Sequence, residues 1–257
     1  MRELNLGVNR KKPLAAALRD AVVVMLGVFA FVGTAVSGTR FADLSGEAPE
    51  LDPAVLRLAV AAVECAESRG FDGRHILTVI DYSLASTVPR LWVFDLERRE
   101  LLFRVLVAHG KNTGENFATE FSNRHGSKQS SLGLFLTAGT YNGRNGYSLK
   151  LRGLEEGVNH RALDRTIVLH GAWYVSEEFA DHHGRLGRSW GCPAVPTEVA
   201  RPLIETIKDG TYMFVYYPDE EWLETSAFLH DCGDDPVFTS TDPTERGSAS
   251  SDAEVQR

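Results

Sequence analysis

The sequence predicts a mainly β domain, a sandwich or barrel-like sheet with few helices, preceded by one lead-in helix. Three observations carry this reading. From His75 onward, short segments rich in Val, Leu, Phe, Tyr and Thr recur between turn residues. Glycine-bearing connections separate them. Beyond Gly70 only one stretch, Val199–Lys208, has convincing helical spacing.

Taken in order, the chain opens on a segment that reads as an export signal. Arg10-Lys11-Lys12 and Arg19 precede an uncharged apolar run from Ala21 to Val36, closed by Ser37 and Gly38. A basic region, an apolar segment and a small-residue exit are the parts of a secretory signal. The run is long for a cleaved signal and short of the roughly 20 residues that span a bilayer. Residues 1–38 are therefore expected to be a signal peptide or a membrane anchor, and either exports the rest of the chain.

Leu51–Arg69 is the lead-in helix. Asp52 suits its N-cap, Pro53 its first turn and Gly70 its exit. Val55, Leu58, Ala59, Ala62, Val63 and Ala66 fall on one face. His75–Tyr82 and Arg90–Leu96 read as strands, and Glu97-Arg98-Arg99 as a turn into Leu101–Ala108. Leu132–Thr137, Tyr147–Arg152, Thr166–His170 and Thr211–Tyr217 complete the strand set, with Pro202 expected near the first turn of the helix at 199–208. Residues 231–257, rich in Asp, Glu, Ser, Thr and Gly, read as a disordered acidic tail.

The 257-residue chain is 43% apolar, enough for one full core. Its formal charge of −8 argues against a nucleic-acid partner. Most of that charge belongs to the C-terminal end: residues 218–257 hold eleven acidic residues against Arg246 and Arg257, while residues 38–217 are close to neutral. Three cysteines in an exported chain leave at least one free or paired between chains. Cys65 and Cys232 are either inert or paired with each other.

Cys192 has more informative surroundings. Thr166-Ile-Val-Leu-His170-Gly171 is a β-branched strand ending in His-Gly, and Gly187-Arg-Ser189-Trp190-Gly191-Cys192 delivers a cysteine directly after a turn. Glycine before a nucleophile lets the backbone bend so that N–H groups face a developing oxyanion. A free thiol, with a pKa near about 8.5, is mostly protonated at neutral pH. An adjacent imidazole takes that proton, giving a thiolate–imidazolium pair.

The two segments resemble the catalytic signature of the YkuD-type L,D-transpeptidases: His-Gly at a strand end, then Ser/Thr-x-Gly-Cys. The chain is more closely similar to a divergent second branch of murein L,D-transpeptidase catalytic domains. The resemblance extends through Leu91-Trp92-Val93-Phe94-Asp95-Leu96, His109-Gly110-Lys111-Asn112-Thr113-Gly114, Phe121-Ser122-Asn123 and Gly126-Ser127-Lys128-Gln129-Ser130-Ser131-Leu132-Gly133, so a catalytic domain is expected over residues 50–217.

The resemblance implies Cys192 as nucleophile, His170 as general base, and the Gly171 carbonyl as the group that orients its ring. It places Gly191 and Cys192 amides at the oxyanion and Ser189 at the Ser/Thr position. It further implies peptidoglycan stem peptides as substrate, a site in the periplasm or cell envelope, and no cofactor or metal. Two departures stand out. Trp190 occupies a position where the better-characterised branch has histidine, and Pro193-Ala194 stands where that branch has an arginine; Arg185 or Arg188 is a candidate replacement. His109 and Lys111 are expected to line the pocket and pair with a substrate carboxylate, or else to form a ligand-free turn.

Other readings are weaker. Gly187–Gly191 matches Gly-x-Ser-x-Gly, but a serine-hydrolase elbow needs a strand before it, and Asp181-His182-His183-Gly184-Arg185 is not strand-like. His182-His183 has no accompanying His-Glu-x-x-His pattern. The remaining alternatives are a hydrolase or carboxypeptidase of the same fold, and a non-catalytic peptidoglycan-binding protein.

Overall fold

A computed structural model describes residues 44–230 and Cys232. The expected export segment at 1–38 and all of the acidic tail except Cys232 lie outside the described residues.

The lead-in helix α1 runs Pro53–Ser68. Asp52 caps it by accepting the Ala54 N–H at 2.8 Å, and Gly70 leaves it in the left-handed region at φ +79°. Its buried stripe, from Val55 to Ala66, lies on the sheet.

Eight strands occur among the described residues: β1 Arg74–Asp81, β2 Leu91–Asp95, β3 Glu100–Val105, β4 Gly133–Gly143, β5 Gly146–Gly153, β6 Val168–Gly171, β7 Ala194–Val195 and β8 Thr211–Tyr216. All but β7 fall at segments the sequence predicts. They form one sheet in the order β3-β2-β1-β8-β4-β5-β6-β7. The β1–β8 and β6–β7 pairs are parallel and the rest antiparallel. The edges nearly meet. Just beyond β3, Ala108 bridges Ala194 of β7, with Ala108 N–H donating to the Ala194 carbonyl at 2.8 Å. The result is an eight-stranded, mainly β, nearly closed barrel, and closure removes the exposed edges of an open sheet.

The hydrophobic core holds Trp92, Phe94, Phe135, Tyr212 and Phe214, all essentially inaccessible. A second, smaller core of Leu106, Ala108, Ala172, Val175, Ala180, Leu186 and Ala194 sits beside β7. It anchors the segment between His170 and Cys192.

Helices depart from expectation in three places. Glu177–His183 is a helix, α2, capped by Ser176 Oγ accepting from Phe179 N–H and ended by Gly184 at φ +68°. It interrupts the strands where only α3, Thr197–Ile207, was expected. Helix α3 begins two residues before the expected Val199, so Pro202 lies inside it rather than in its first turn, removing one intrahelical donor. Two short helices, α4 Glu220–Thr225 and α5 Ala227–His230, end the described chain where the sequence shows only acidic residues and scattered aromatics.

Candidate active site

Strand β6 ends in His170-Gly171, and its parallel register with β7 (His170↔Ala194, Gly171↔Val195) brings the two halves of the sequence motif together. Cys192 lies two residues before Ala194 on the β7 side of this pair, and its sulfur is 3.7 Å from the Thr166 carbonyl oxygen. Cys192 and His170 line one cleft of about 630 Å³ and are respectively 9% and 4% exposed. Cys192 is the one free cysteine among the described residues, because Cys65 and Cys232 are joined by a disulfide.

The His170 ring is oriented through Nδ1, 3.0 Å from the Gly171 carbonyl oxygen. A carbonyl only accepts, so Nδ1 carries the proton and Nε2 is the basic nitrogen of the neutral ring. Burial lowers the His170 pKa, with the Gly171 contact opposing, and burial raises that of Cys192, opposed by the Val168 N–H and by Arg165. Both shifts disfavour charge. Burial thus works toward a neutral imidazole and a thiol in the free site, and against the thiolate–imidazolium pair expected from the motif.

The cysteine turn depends on backbone contacts. Gly191 adopts φ +122°, and a Cβ there would lie 2.7 Å from the Gln129 carbonyl oxygen and 3.0 Å from Ile167. Ser189 is 5% exposed; its Oγ accepts the Gly191 N–H at 3.0 Å and donates to the Cys192 carbonyl at 2.6 Å. Ser189 thus braces the turn, and no strand precedes it as a nucleophile elbow requires. Because the Gly191 N–H is already donated, the amide left for an oxyanion in this pair is that of Cys192, not both as expected.

The other motif blocks form the wall behind this turn. Ser189 N–H donates to the His109 carbonyl at 3.0 Å and Lys111 N–H to the Ser189 carbonyl at 2.7 Å. Ser130 Oγ accepts the Gly110 N–H at 3.0 Å and donates to the Gly191 carbonyl at 3.1 Å. Gly110 has no room for a side chain: a Cβ would stand 2.5 Å from the Lys128 oxygen and 2.9 Å from Gly191 Cα.

The expectation that His109 and Lys111 line the pocket is corrected here, since neither borders the cleft. His109 is buried, flanked by Arg90 at 2.8 Å from Nδ1, and its pKa falls to about 4 through desolvation and that cation. A neutral, enclosed ring is no partner for a carboxylate. Lys111 is exposed and contributes its backbone.

Trp190 does line the cleft, with its side chain 71% exposed. Arg185 and Arg188 both pair with Glu115, at 2.9 and 2.6 Å, and of the two only Arg188 borders the cleft. The cation facing Cys192 is instead Arg165, which the sequence reading missed. It stands directly before the β-branched stretch at 166–170, and nothing in its spacing from Cys192 announces the contact. Its neighbour Thr166 has φ +55°, rare for a β-branched residue, and turns its carbonyl to within 3.7 Å of Cys192 Sγ. His182 and His183 bond along their own helix to the Glu178 and Phe179 carbonyls, and no cluster of three metal-ligating side chains occurs among the described residues.

The chain is similar to known proteins at the level this geometry suggests. The family profile described as L,D-transpeptidase catalytic domain, of the second YkuD type, matches residues 47–216. Among curated proteins there is no match. Solved structures similar to the chain include an L,D-transpeptidase from Mycobacterium smegmatis, with 15% identity, a TM-score of 0.34, and coverage of 56% of this chain and 59% of that one. L,D-transpeptidase 3 from Mycobacterium tuberculosis has 10% identity and a TM-score of 0.35 over 56% and 61%. An L,D-transpeptidase from Xylanimonas cellulosilytica has 12% identity and a TM-score of 0.31 over 60% and 68%. The chain spans less than two thirds of the length of the two mycobacterial structures. The profile match covers well over half of the sequence and includes both Cys192 and His170. The chain belongs to the L,D-transpeptidase catalytic domain family.

Proposed function

We propose that this chain is an exported, cysteine-dependent L,D-transpeptidase acting on peptidoglycan stem peptides. The observation that carries the proposal is the shared cleft of Cys192 and His170, with the His170 ring locked through Nδ1 so that Nε2 is the base. Burial raises the thiol's pKa and so favours its protonated form, and His170 removes that proton as the sulfur attacks the carbonyl of an L-centred residue. The Cys192 amide meets the developing oxyanion. The carbon–nitrogen bond to the terminal D-amino acid breaks, the leaving amine takes the proton from the imidazolium, and a thioester remains. An amine of a neighbouring stem then loses its proton to His170 and displaces the sulfur, which regains a proton.

Export is supported by the basic-then-apolar order of residues 1–38 and by the Cys65–Cys232 disulfide, a bond of oxidising compartments. Residues 1–38 act as a signal peptide or a membrane anchor, and the catalytic domain works in the periplasm or cell envelope.

The test is incubation with a carbapenem and with purified muropeptides. A single adduct on Cys192 by intact mass, absent in Cys192→Ala, and cross-linked muropeptide dimers are the expected results. Trimmed monomers without dimers would assign water as the acceptor and make the protein a carboxypeptidase. No adduct on folded, reduced protein would overturn the proposal.

A further inference from the structure

The chain is acidic overall, yet the charged side chains lining the cleft are basic: among the described residues no Asp or Glu borders it. Arg188 is neutralised by Glu115. Arg165, only 8% exposed, gives its guanidinium to neutral acceptors: the carbonyls of Ser122 and Gln129 and the hydroxyls of Ser127 and Ser131. A buried cation is an expensive way to hold a loop unless an anion later shares the site.

Two of those acceptors, Ser127 and Gln129, flank Lys128. Lys128 adopts φ +59°, a conformation that costs a long side chain of order 1 kcal/mol or more and persists only where its surroundings impose it. They do so here. The Lys128 carbonyl accepts the Asn112 N–H at 3.1 Å, and Gly110 leaves room for that oxygen by lacking a Cβ. The consequence is that Lys128 Nζ is 4.9 Å from the centroid of the Trp190 ring, on the cleft, and none of the ion pairs among the described residues engages it. Trp190 is two residues from the nucleophile. The fold thus places an ammonium against an exposed indole on the cleft that also holds Cys192, and the buried Arg165 holds the backbone on either side of Lys128.

We propose that Lys128 and Trp190 form a carboxylate-binding subsite for the acyl donor, the ammonium binding the anion while the ring borders it. This rests on the proposed transpeptidase reading. A terminal D-amino acid carries its carboxylate one residue from the attacked carbonyl, about 3.8 Å along the chain between Cα atoms, which suits a cation next to the cysteine turn.

The experiment measures D-amino acid release by the full chain from three tetrapeptide donors: the free acid, the C-terminal carboxamide, and a donor amidated only at its side-chain carboxylate. Lys128→Gln is expected to raise KM for the free acid about tenfold or more, the loss of one charge-assisted hydrogen bond, with a smaller change in kcat. Lys128→Arg should stay within a few-fold of wild type. The carboxamide should be a poor donor for wild type and lose nothing further in Lys128→Gln. The same pattern on the side-chain amide instead supports the subsite with that carboxylate as its ligand. Equal KM for the free acid in wild type and Lys128→Gln overturns it. Failure of the proposed acyl-donor chemistry, whichever the acceptor, looks different: wild type then releases nothing from any donor. In that event, quenching of tryptophan fluorescence by the free-acid peptide in Cys192→Ala, with and without Lys128→Gln, decides the subsite alone, and equal quenching in both overturns it.

Discussion

At the scale of single residues, burial works against charge on both the nucleophile and its base. Burial pushes the Cys192 thiol up and the His170 imidazole down, and Arg165 and the Val168 N–H only partly offset the first shift. A thiol raised above its ordinary value gains thiolate only at alkaline pH, and an imidazole lowered below 6.5 stays basic throughout the neutral range. Alkylation of Cys192 by iodoacetamide should therefore keep accelerating from pH 7 to beyond pH 9, as it does for a protonated thiol. Donor turnover should lose rate only on the acid side, through a limb below pH 6.5 set by His170. An alkylation rate that is flat from pH 5 to 8 would reveal a standing ion pair and remove the general-base role drawn for His170. Trp190 is the other residue whose meaning changes: a departure from the better-known motif in the sequence, it is one wall of the cleft in the structure.

At the scale of elements, three chain segments are held backbone to backbone around one hydroxyl. Ser130 Oγ links the Gly110 N–H to the Gly191 carbonyl, so the 109–114 and 127–131 segments fix the cysteine turn. Ser130→Ala leaves a buried N–H and a buried carbonyl without that partner and should cost about 1–3 kcal/mol of stability. Because the turn carrying Cys192 loses its brace, kcat should fall further than thermal stability alone explains; urea denaturation beside steady-state turnover separates the two, and an unchanged kcat would show that the brace does not position the nucleophile. The strands were legible because apolar runs rich in β-branched and aromatic residues, bounded by turn residues, mark them one at a time: β1, β2 and β8 match their sequence ranges within one residue at either end, and each is buried almost without interruption. Strand β4 runs on to Gly143, which its apolar pattern did not predict, because the residues beyond Ala138 are largely solvent-exposed and carry no alternation. Strand β7 is two residues long and α2 seven, too short for periodicity to register. His109 was misread for a different reason. His-Gly at the end of a strand looks alike whether the ring faces a ligand or an interior arginine, and only the Arg90 contact, nineteen residues away in the chain, distinguishes them.

At the scale of the whole molecule, the barrel closes next to its own active site, and the C-terminal helices are returned to the sheet by two clamps. One is Glu155, whose buried carboxylate accepts from Leu134 N–H at 2.6 Å, Ser226 Oγ at 2.7 Å and Trp222 Nε1 at 3.1 Å, joining the start of β4 to α4 and to the residue that links α4 to α5. The other is the disulfide from Cys65 in α1 to Cys232, which spans 167 residues of sequence. Closing a loop of that length removes conformational freedom from the unfolded chain worth up to about 5 kcal/mol on the chain-entropy account. The Cys65→Ser/Cys232→Ser double variant should therefore lose several kcal/mol in urea unfolding. It should still reach the same fold, because Glu155 continues to hold α4 and the residue that links it to α5, and its Cys192 alkylation rate should match that of the wild type. Thiol titration gives the complementary readout. Denatured, unreduced protein should show one reactive thiol, Cys192, and three after reduction; three before reduction would dissolve the clamp and, with it, the structural support for an oxidising compartment.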